Sequence, residues 1–286
     1  MAVENHPKPL DLRSSSPEEC PAQRYRVLNV AGRDAASFLQ GQLTQDIARV
    51  VAGQLRLAAL LTPQGRVLAT PWLTARDGSM LLLLPAPLAA AVHDGLKRYV
   101  LRARVELSLC ELDAALAALL TAAIGARGAE PSARAATAAT AARAADAADA
   151  ADADARWTLA LVAAGHPEIG LATSGEWIPQ MLNLDLLDAI SMTKGCYTGQ
   201  EIVARTQNLG RIKRRMFRYA TQTASPPEPK AALYAGRQKV GEVVVAATAA
   251  RGSELLAVVN LDARGTPLAL ADGAQCAPVP LPYAVP

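Results

Sequence analysis

The stretch KGCYTGQE at residues 194–201 decides how this chain folds, and it contains almost nothing that a hydrophobic core requires. Thr198 and Glu201 stand three residues apart, directly before IVAR, in the arrangement of a capping box. This spacing predicts a helix that starts at Gly199, runs to about Asn208 and ends at Gly210. Gly195 and Gly199 let the chain bend and admit a closely packed partner or ligand.

Cys196 is the residue of this stretch with reactive chemistry. It lies two residues before the predicted N-cap, where free N–H groups and the positive end of the helix dipole favour an anion. Lys194 adds a cation, so we predict a reactive thiolate at Cys196. The structural alternative is a tight helix start with a buried cysteine, but a cap does not require Lys194, Tyr197 or Gln200.

Composition limits the remaining possibilities. The chain has 286 residues, 51% of them apolar and 4% aromatic, which allows two or three domains with a sizeable core. The net charge of +3 does not by itself indicate a nucleic-acid-binding protein. The N-terminus shows no signal-peptide pattern and the longest apolar runs are too short to cross a bilayer, so we expect a cytoplasmic protein without a membrane partner. The four cysteines, at 20, 110, 196 and 276, lack metal-ligand spacing, so we predict free thiols and no metal site.

Strand and helix signals alternate along the chain in an α+β pattern. We predict a strand at 26–32, a helix over 33–50 with Asp34 as its cap, three strands within 54–85, a helix over 86–100 and a strand at 102–113. Five segments follow from these signals and from composition. They are a disordered tail at 1–20, a first α+β domain at 21–110, a second at 111–176, a return segment at 177–210 with the signature, and a C-terminal β-barrel at 211–286. The second contains an Ala/Asp-rich insertion at 125–156, predicted to be solvated and partly helical or disordered, and Trp157 is expected to open a strand after it.

KGCYTGQEIVAR resembles the signature of the YgfZ family of folate-binding proteins, which are similar in fold to the aminomethyltransferase (T-protein) of the glycine cleavage system. Three further segments carry the resemblance, which extends from about residue 25 to the end except for the insertion. They are VAGRDAASFLQGQLTQDI at 30–47, EWIPQMLNLDLLDAIS at 176–191 and PLPYAV at 280–285.

The resemblance implies a function as well as a fold. The implied fold is an α+β, three-domain, ring-like aminomethyltransferase architecture around a channel that admits a folate, with a small C-terminal β-barrel. The implied cofactor is tetrahydrofolate or a derivative, and the implied role is iron–sulfur cluster assembly or repair. This role supports partners such as cluster-carrying tRNA methylthiotransferases, and thereby tRNA modification.

Three aromatic residues are candidates for folate contacts. By offset from the matched segments the resemblance points to Trp157 and Tyr25, and Trp177 precedes IPQ in a polar loop. Each could equally be a core aromatic. T-proteins carry an acid on the strand that here reads GRVLATPWL, where Ala69 and Thr70 stand instead. This departure speaks against an aminomethyl or other one-carbon transferase.

A basic run follows the signature and gives a further alternative. Arg205 is spaced to pair with Glu201 along the helix. The basic run after the signature, together with Arg205, has two interpretations. It is either a solvated face or a contact for an anion such as the folate glutamate tail or tRNA phosphates. Its members are Arg211, Lys213, Arg214, Arg215 and Arg218. The three open hypotheses are therefore a folate-binding accessory protein, a folate-dependent transferase and a tRNA-binding module.

Overall fold

The computed structural model describes residues 19–128, 147–208 and 210–286. Residues 1–18 of the predicted tail and residues 129–146 of the predicted insertion lie outside the described residues. The described end of the predicted tail is part of the core. Cys20 is buried, and its N–H donates to Thr121 Oγ1 at 3.1 Å.

A five-stranded antiparallel sheet forms the first half, in the order β2-β5-β6-β1-β7. Its strands are β1 (Tyr25–Ala31), β2 (Arg56–Leu57), β5 (Trp72–Arg76), β6 (Ser79–Pro85) and β7 (Glu106–Glu111). A separate hairpin joins β3 (Leu60–Leu61) to β4 (Val67–Ala69), so residues 54–85 form five short strands rather than three. The sequence RDG at 76–78 predicts a turn here, and Asp77 and Gly78, with φ of 51° and 78°, form a tight two-residue turn between β5 and β6.

Five helices occur in the described residues: α1 (Ala35–Gln40), α2 (Ala86–Lys97), α3 (Ala114–Gly128), α4 (Ala147–Ala163) and α5 (Gln200–Asn208). The spacing of Leu88, Val92, Leu96 and Val100 predicts an apolar stripe. The first three are buried on α2, whereas half-buried Val100 lies beyond its end. The long helix predicted over 33–50 is wrong. It stops at Gln40 because the next residues bridge to β3 and bond to other segments. Asp34 occupies the predicted N-cap position of α1, but its side chain makes no capping hydrogen bond, and its carboxylate accepts from the Arg104 N–H at 2.8 Å.

The predicted strand at Trp157 is also wrong, because Trp157 lies inside α4. Trp157 and Leu161, one helical turn apart, are both fully buried, and alanine recurs through the preceding turns of the helix. In the sequence, the like charges of Asp146, Asp149 and Asp152 oppose a helix, yet α4 includes the last two. Two aspartates of α4 gain cationic partners. Asp152 pairs with Arg156 on the same helix, and Asp154 pairs with Arg24 of the sheet domain at 2.6 Å.

Six strands close into a β-barrel at the C-terminal end, as predicted. They are β8 (Arg214–Thr221), β9 (Ala232–Ala235), β10 (Gln238–Ala249), β11 (Gly252–Asn260), β12 (Leu268–Leu270) and β13 (Gln275–Val279). The strand period of two divides the side chains of β11 between two cores. Leu255, Ala257 and Val259 fill the barrel, whereas Leu256 and Val258 join the main core of the protein. Among the described residues, no helix combines the length and apolar character needed to span a membrane.

Candidate functional site

The signature loop, residues 194–199, lies against the segment QGQLTQD at residues 40–46. The Thr198 N–H donates to Gly41 O at 3.2 Å, and Lys194 Nζ donates to Leu43 O at 2.7 Å and to Gln45 O at 2.8 Å. Cys196 stands between these two anchored residues and is exposed. The loop therefore presents a thiol to solvent from a backbone that is fixed on both sides.

Lys194, predicted as a cation beside the thiol, directs its ammonium group to the backbone of the QGQLTQD segment. Its side chain is buried and its ammonium group binds the two backbone carbonyls. The ammonium also lies 5.1 Å from the centre of the Tyr197 ring. Burial lowers the pKa of Lys194 to about 8, and the nearby Asp46 carboxylate opposes that shift.

Side chains of the QGQLTQD segment bind the return segment from the other side. Thr44 Oγ1 donates to Ala189 O at 2.7 Å, and Thr44 O accepts from the Ser191 N–H at 2.9 Å. Gln45 Nε2 donates to Asp188 O at 2.6 Å. Thr44 and Gln45 are buried, so these hydrogen bonds join two distant parts of the chain away from water.

Two glycines allow the signature to pack on the β3–β4 hairpin. Gly199 has φ of +80°, and a Cβ there would lie 2.6 Å from Thr62 O and 3.1 Å from the Cα of Gly65. A Cβ on Gly65 would lie 2.7 Å from the Cβ of Ile202, in the first turn of α5. The close approach of the two backbones explains why glycine is required at both positions.

The predicted capping box is not present. Helix α5 begins at Gln200, one residue later than expected, which places Thr198 outside the N-cap position. The side chain of Gln200 accepts from the Tyr197 N–H at 3.2 Å, and Glu201 pairs with Arg205 at 2.9 Å, as their spacing predicted. The predicted end of the helix is confirmed, because the Gly210 N–H donates to Arg205 O at 2.8 Å.

A cleft of about 200 Å³ opens beside the signature loop. Thr198 and Gln42 contribute to one side of it, and Arg98 and Tyr99 come from the end of α2. Its apolar wall consists largely of leucines, namely Leu60, Leu61, Leu68 and Leu96.

Two of the predicted folate contacts, Tyr25 and Trp157, meet in a second cluster. Trp157 Nε1 donates to the Tyr25 hydroxyl at 3.2 Å, and the rings are edge to face at 6.4 Å. The Tyr25 hydroxyl in turn donates to the Glu168 carboxylate, which also pairs with Arg24. Burial, reinforced by Glu168, raises the pKa of Tyr25 well above its usual value. Both rings are enclosed, so stacking on a pterin stays a prediction that requires this cluster to open.

Glu168 is the residue that the sequence reasoning missed. Thr70, at the position where T-proteins were expected to carry an acid, donates its hydroxyl to Pro167 O at 3.1 Å and accepts from the Ile169 N–H at 3.4 Å. The backbone on both sides of Glu168 is thus bound to Thr70. The available signal was an acid between proline and isoleucine just after a buried helix, which is an uncommon place for a solvated carboxylate.

The third aromatic candidate and the basic run lie elsewhere. Trp177 is buried and borders a cavity of about 200 Å³ together with Arg214 and Lys239. Of the basic run, Arg211, Lys213 and Arg214 are exposed and Arg218 pairs with Glu254, while Arg215 forms a buried two-point ion pair with Asp185 at 2.6 and 2.9 Å. Arg215 therefore does not lie on the exposed basic face that the sequence predicted.

The α+β body and closed barrel define the class of protein. The fold is that of the glycine cleavage aminomethyltransferase T from Bartonella henselae, with a TM-score of 0.62 at 16% identity, over 92% of this chain and 85% of that one. This likeness confirms the predicted aminomethyltransferase-like fold and shows no more than the fold.

Sequence comparison identifies the family. No protein-family model matches the chain. An uncharacterized protein of Haemophilus influenzae is 32% identical over 209 residues, covering 72% of this chain and 74% of its own length. A tRNA-modifying protein YgfZ of Colwellia psychrerythraea is 26% identical over 71% of each chain, and one of Klebsiella pneumoniae is 27% identical over 71% of this chain and 72% of its own. The chain belongs to the YgfZ family.

Proposed function

We propose that this protein binds tetrahydrofolate or a derivative and supports cluster-dependent tRNA modification through the thiol of Cys196. The observation that carries the proposal is the exposure of Cys196 on a loop that hydrogen bonds hold on both sides. A reactive thiol needs access and a defined position, and this loop provides both. The relatives named as tRNA-modifying proteins supply the process in which the thiol acts.

The folate part of the proposal is supported by the cluster around Glu168. A pterin ring presents N–H donors along one edge, and a buried carboxylate is the acceptor that satisfies them. Tyr25 and Trp157, the two aromatic candidates, contact each other beside that carboxylate. Glu168 would then bind the pterin in place of the acid that is absent at Ala69 and Thr70.

A titration of the protein with tetrahydrofolate, followed by tryptophan fluorescence, tests this assignment. We expect saturable quenching in the wild type and weaker binding by about 10- to 100-fold in Glu168→Gln, because one hydrogen bond to a charged acceptor is weakened. Asp154→Asn is the matched control, since it removes the other carboxylate of Arg24 on the more exposed helix face. Equal affinity in Glu168→Gln and wild type would refute the role of Glu168, and absence of binding in the wild type would refute folate binding itself.

The transferase alternative has less support. Ala69 is buried and has no acid–base chemistry, and the Thr70 hydroxyl is bound to the backbone beside Glu168. An assay for formation of methylene-tetrahydrofolate decides the matter. We expect no turnover above the uncatalysed rate, and clear turnover would favour the transferase.

A further inference from the structure

Residues 97–104, with the sequence KRYVLRAR, form an exposed basic loop that starts at the last residue of α2 and leads toward β7. Lys97, Arg98, Arg102 and Arg104 are all exposed. Within the described ranges, no carboxylate lies at ion-pair distance from any of these four side chains. Two neighbouring acids are already engaged, since Asp94 contacts His93 at 2.8 Å and Asp34 lies 3.8 Å from Arg33, while Glu106, two residues after Arg104, is exposed. Four exposed cations in eight residues, without an ion pair to any described carboxylate, make this loop attractive to a polyanion.

Large apolar side chains alternate with these cations and face solvent. Tyr99 is 51% exposed and Leu101 is 86% exposed, which is unusual for residues of this size. Neither contributes to the buried core. An exposed aromatic ring among arginines is the combination that binds single-stranded nucleic acid, because bases stack on the ring while the cations follow the phosphates.

The basic loop is held in place at both ends. The Tyr99 N–H donates to Leu96 O at 2.9 Å, continuing the last turn of α2. At the other end the Arg104 N–H donates to the Asp34 carboxylate at 2.8 Å, and a Cβ on Gly32 would lie 2.2 Å from Arg104 O. The exposed side chains therefore project from a fixed backbone, which reduces the entropy lost on binding.

The basic loop also borders the cleft beside the signature. Arg98 and Tyr99 line that cleft, and so does Thr198, two residues after Cys196. A base stacked on Tyr99 could place its edge in the leucine-walled cleft, and the strand would then pass the signature loop.

We propose that the basic loop is a docking surface for single-stranded RNA, with one base held at Tyr99 beside the cleft. The inference rests on the proposed function in one respect only, because that function makes tRNA the RNA that this surface would bring to Cys196. A membrane surface is the poorer occupant, because Tyr99 and Leu101 are separated by half-buried Val100 and do not form a continuous apolar face. An acidic protein would require only the cations, so it would not account for the exposed ring of Tyr99.

Fluorescence anisotropy with a labelled single-stranded oligouridine RNA and the full-length protein tests the proposal over a range of salt concentrations. Removing two phosphate contacts in Arg98→Ala/Arg102→Ala should make the slope of log K against log salt shallower by about 1.4. Tyr99→Ala should weaken binding by about 5- to 160-fold, the range for loss of one stacked base. Arg211→Ala/Lys213→Ala removes the same charge from the alternative basic run and should leave the slope unchanged.

The outcomes separate this surface from its rivals. Loss of binding in Arg211→Ala/Lys213→Ala but not in Arg98→Ala/Arg102→Ala would assign RNA to the strand after the signature and overturn the proposal. Absence of RNA binding at low salt would also overturn the proposal. So would a protein that co-sediments with phosphatidylserine vesicles and does not bind RNA. Tetrahydrofolate titration and thermal melting of the same variants should match the wild type, so failure of the RNA surface is distinguishable from failure of the folate proposal.

Discussion

Gly199→Ala tests how the signature loop is held. The substitution has two separate costs, because Gly199 has φ of +80° and its missing Cβ would lie 2.6 Å from Thr62 O. A left-handed backbone costs a residue with a side chain about 1–2 kcal/mol. Forcing extra volume against a backbone atom that cannot rotate away costs about 1–3 kcal/mol more. We therefore expect the free energy of unfolding to fall by about 2–5 kcal/mol.

Gly78→Ala is the matched control for this prediction. Gly78 has φ of +78°, almost the same backbone conformation, but a Cβ there would meet no atom within 4 Å. Its cost should be the backbone cost alone, about 1–2 kcal/mol. Urea unfolding measures both free energies, and the rate at which a thiol reagent modifies Cys196 reports the loop itself. If the two alanine variants lose the same stability and Cys196 reacts at the wild-type rate, the reasoning that the loop is fixed by this contact is wrong.

Three further substitutions probe the buried contacts around the site. Arg215→Leu should cost about 3–5 kcal/mol by leaving Asp185 buried and unpaired, whereas Asp185→Leu/Arg215→Leu should regain most of that loss in urea unfolding. Lys194 has a folded pKa of about 8 against 10.5 in the unfolded chain, so the unfolded chain binds more protons between these values and stability rises with pH there. Lys194→Met should reduce that rise, which unfolding curves across this pH interval will show. Trp157→Phe removes the hydrogen bond to the Tyr25 hydroxyl and should lower the unfolding free energy by about 1 kcal/mol; an unchanged value would mean that the bond contributes nothing.

Local signals in the sequence predicted the elements that depend on local physics. The apolar stripe of α2, the Asp77–Gly78 turn and the end of α5 at Gly210 are determined by residues within a few positions of one another. Helix α1 is shorter than predicted because the residues after Gln40 bind distant segments, as Thr44 binds Ala189. Local propensity cannot anticipate such contacts.

The candidate site was predictable in identity but not in arrangement. Cys196 was selected for its position near a helix start, and the structure exposes it. Proximity in sequence predicts Lys194 beside the thiol, yet its ammonium group binds a carbonyl 151 residues away. Glu168 was overlooked because its partners, Arg24 and Tyr25, lie more than 140 residues earlier. Pairing across such separations is a property of the fold and leaves no local pattern.

The most direct test of the account compares two exposed cysteines in a bacterial strain that lacks its YgfZ protein. Cys196→Ser and Cys110→Ser each replace one exposed sulfur, but Cys110 lies on β7 and Cys196 on the anchored signature loop. Methylthiolated nucleosides in total tRNA, measured by mass spectrometry, should return to the wild-type level with Cys110→Ser and remain at the level of the deletion strain with Cys196→Ser. Full restoration by Cys196→Ser, at equal protein abundance, would contradict the claim that this thiol performs the chemistry.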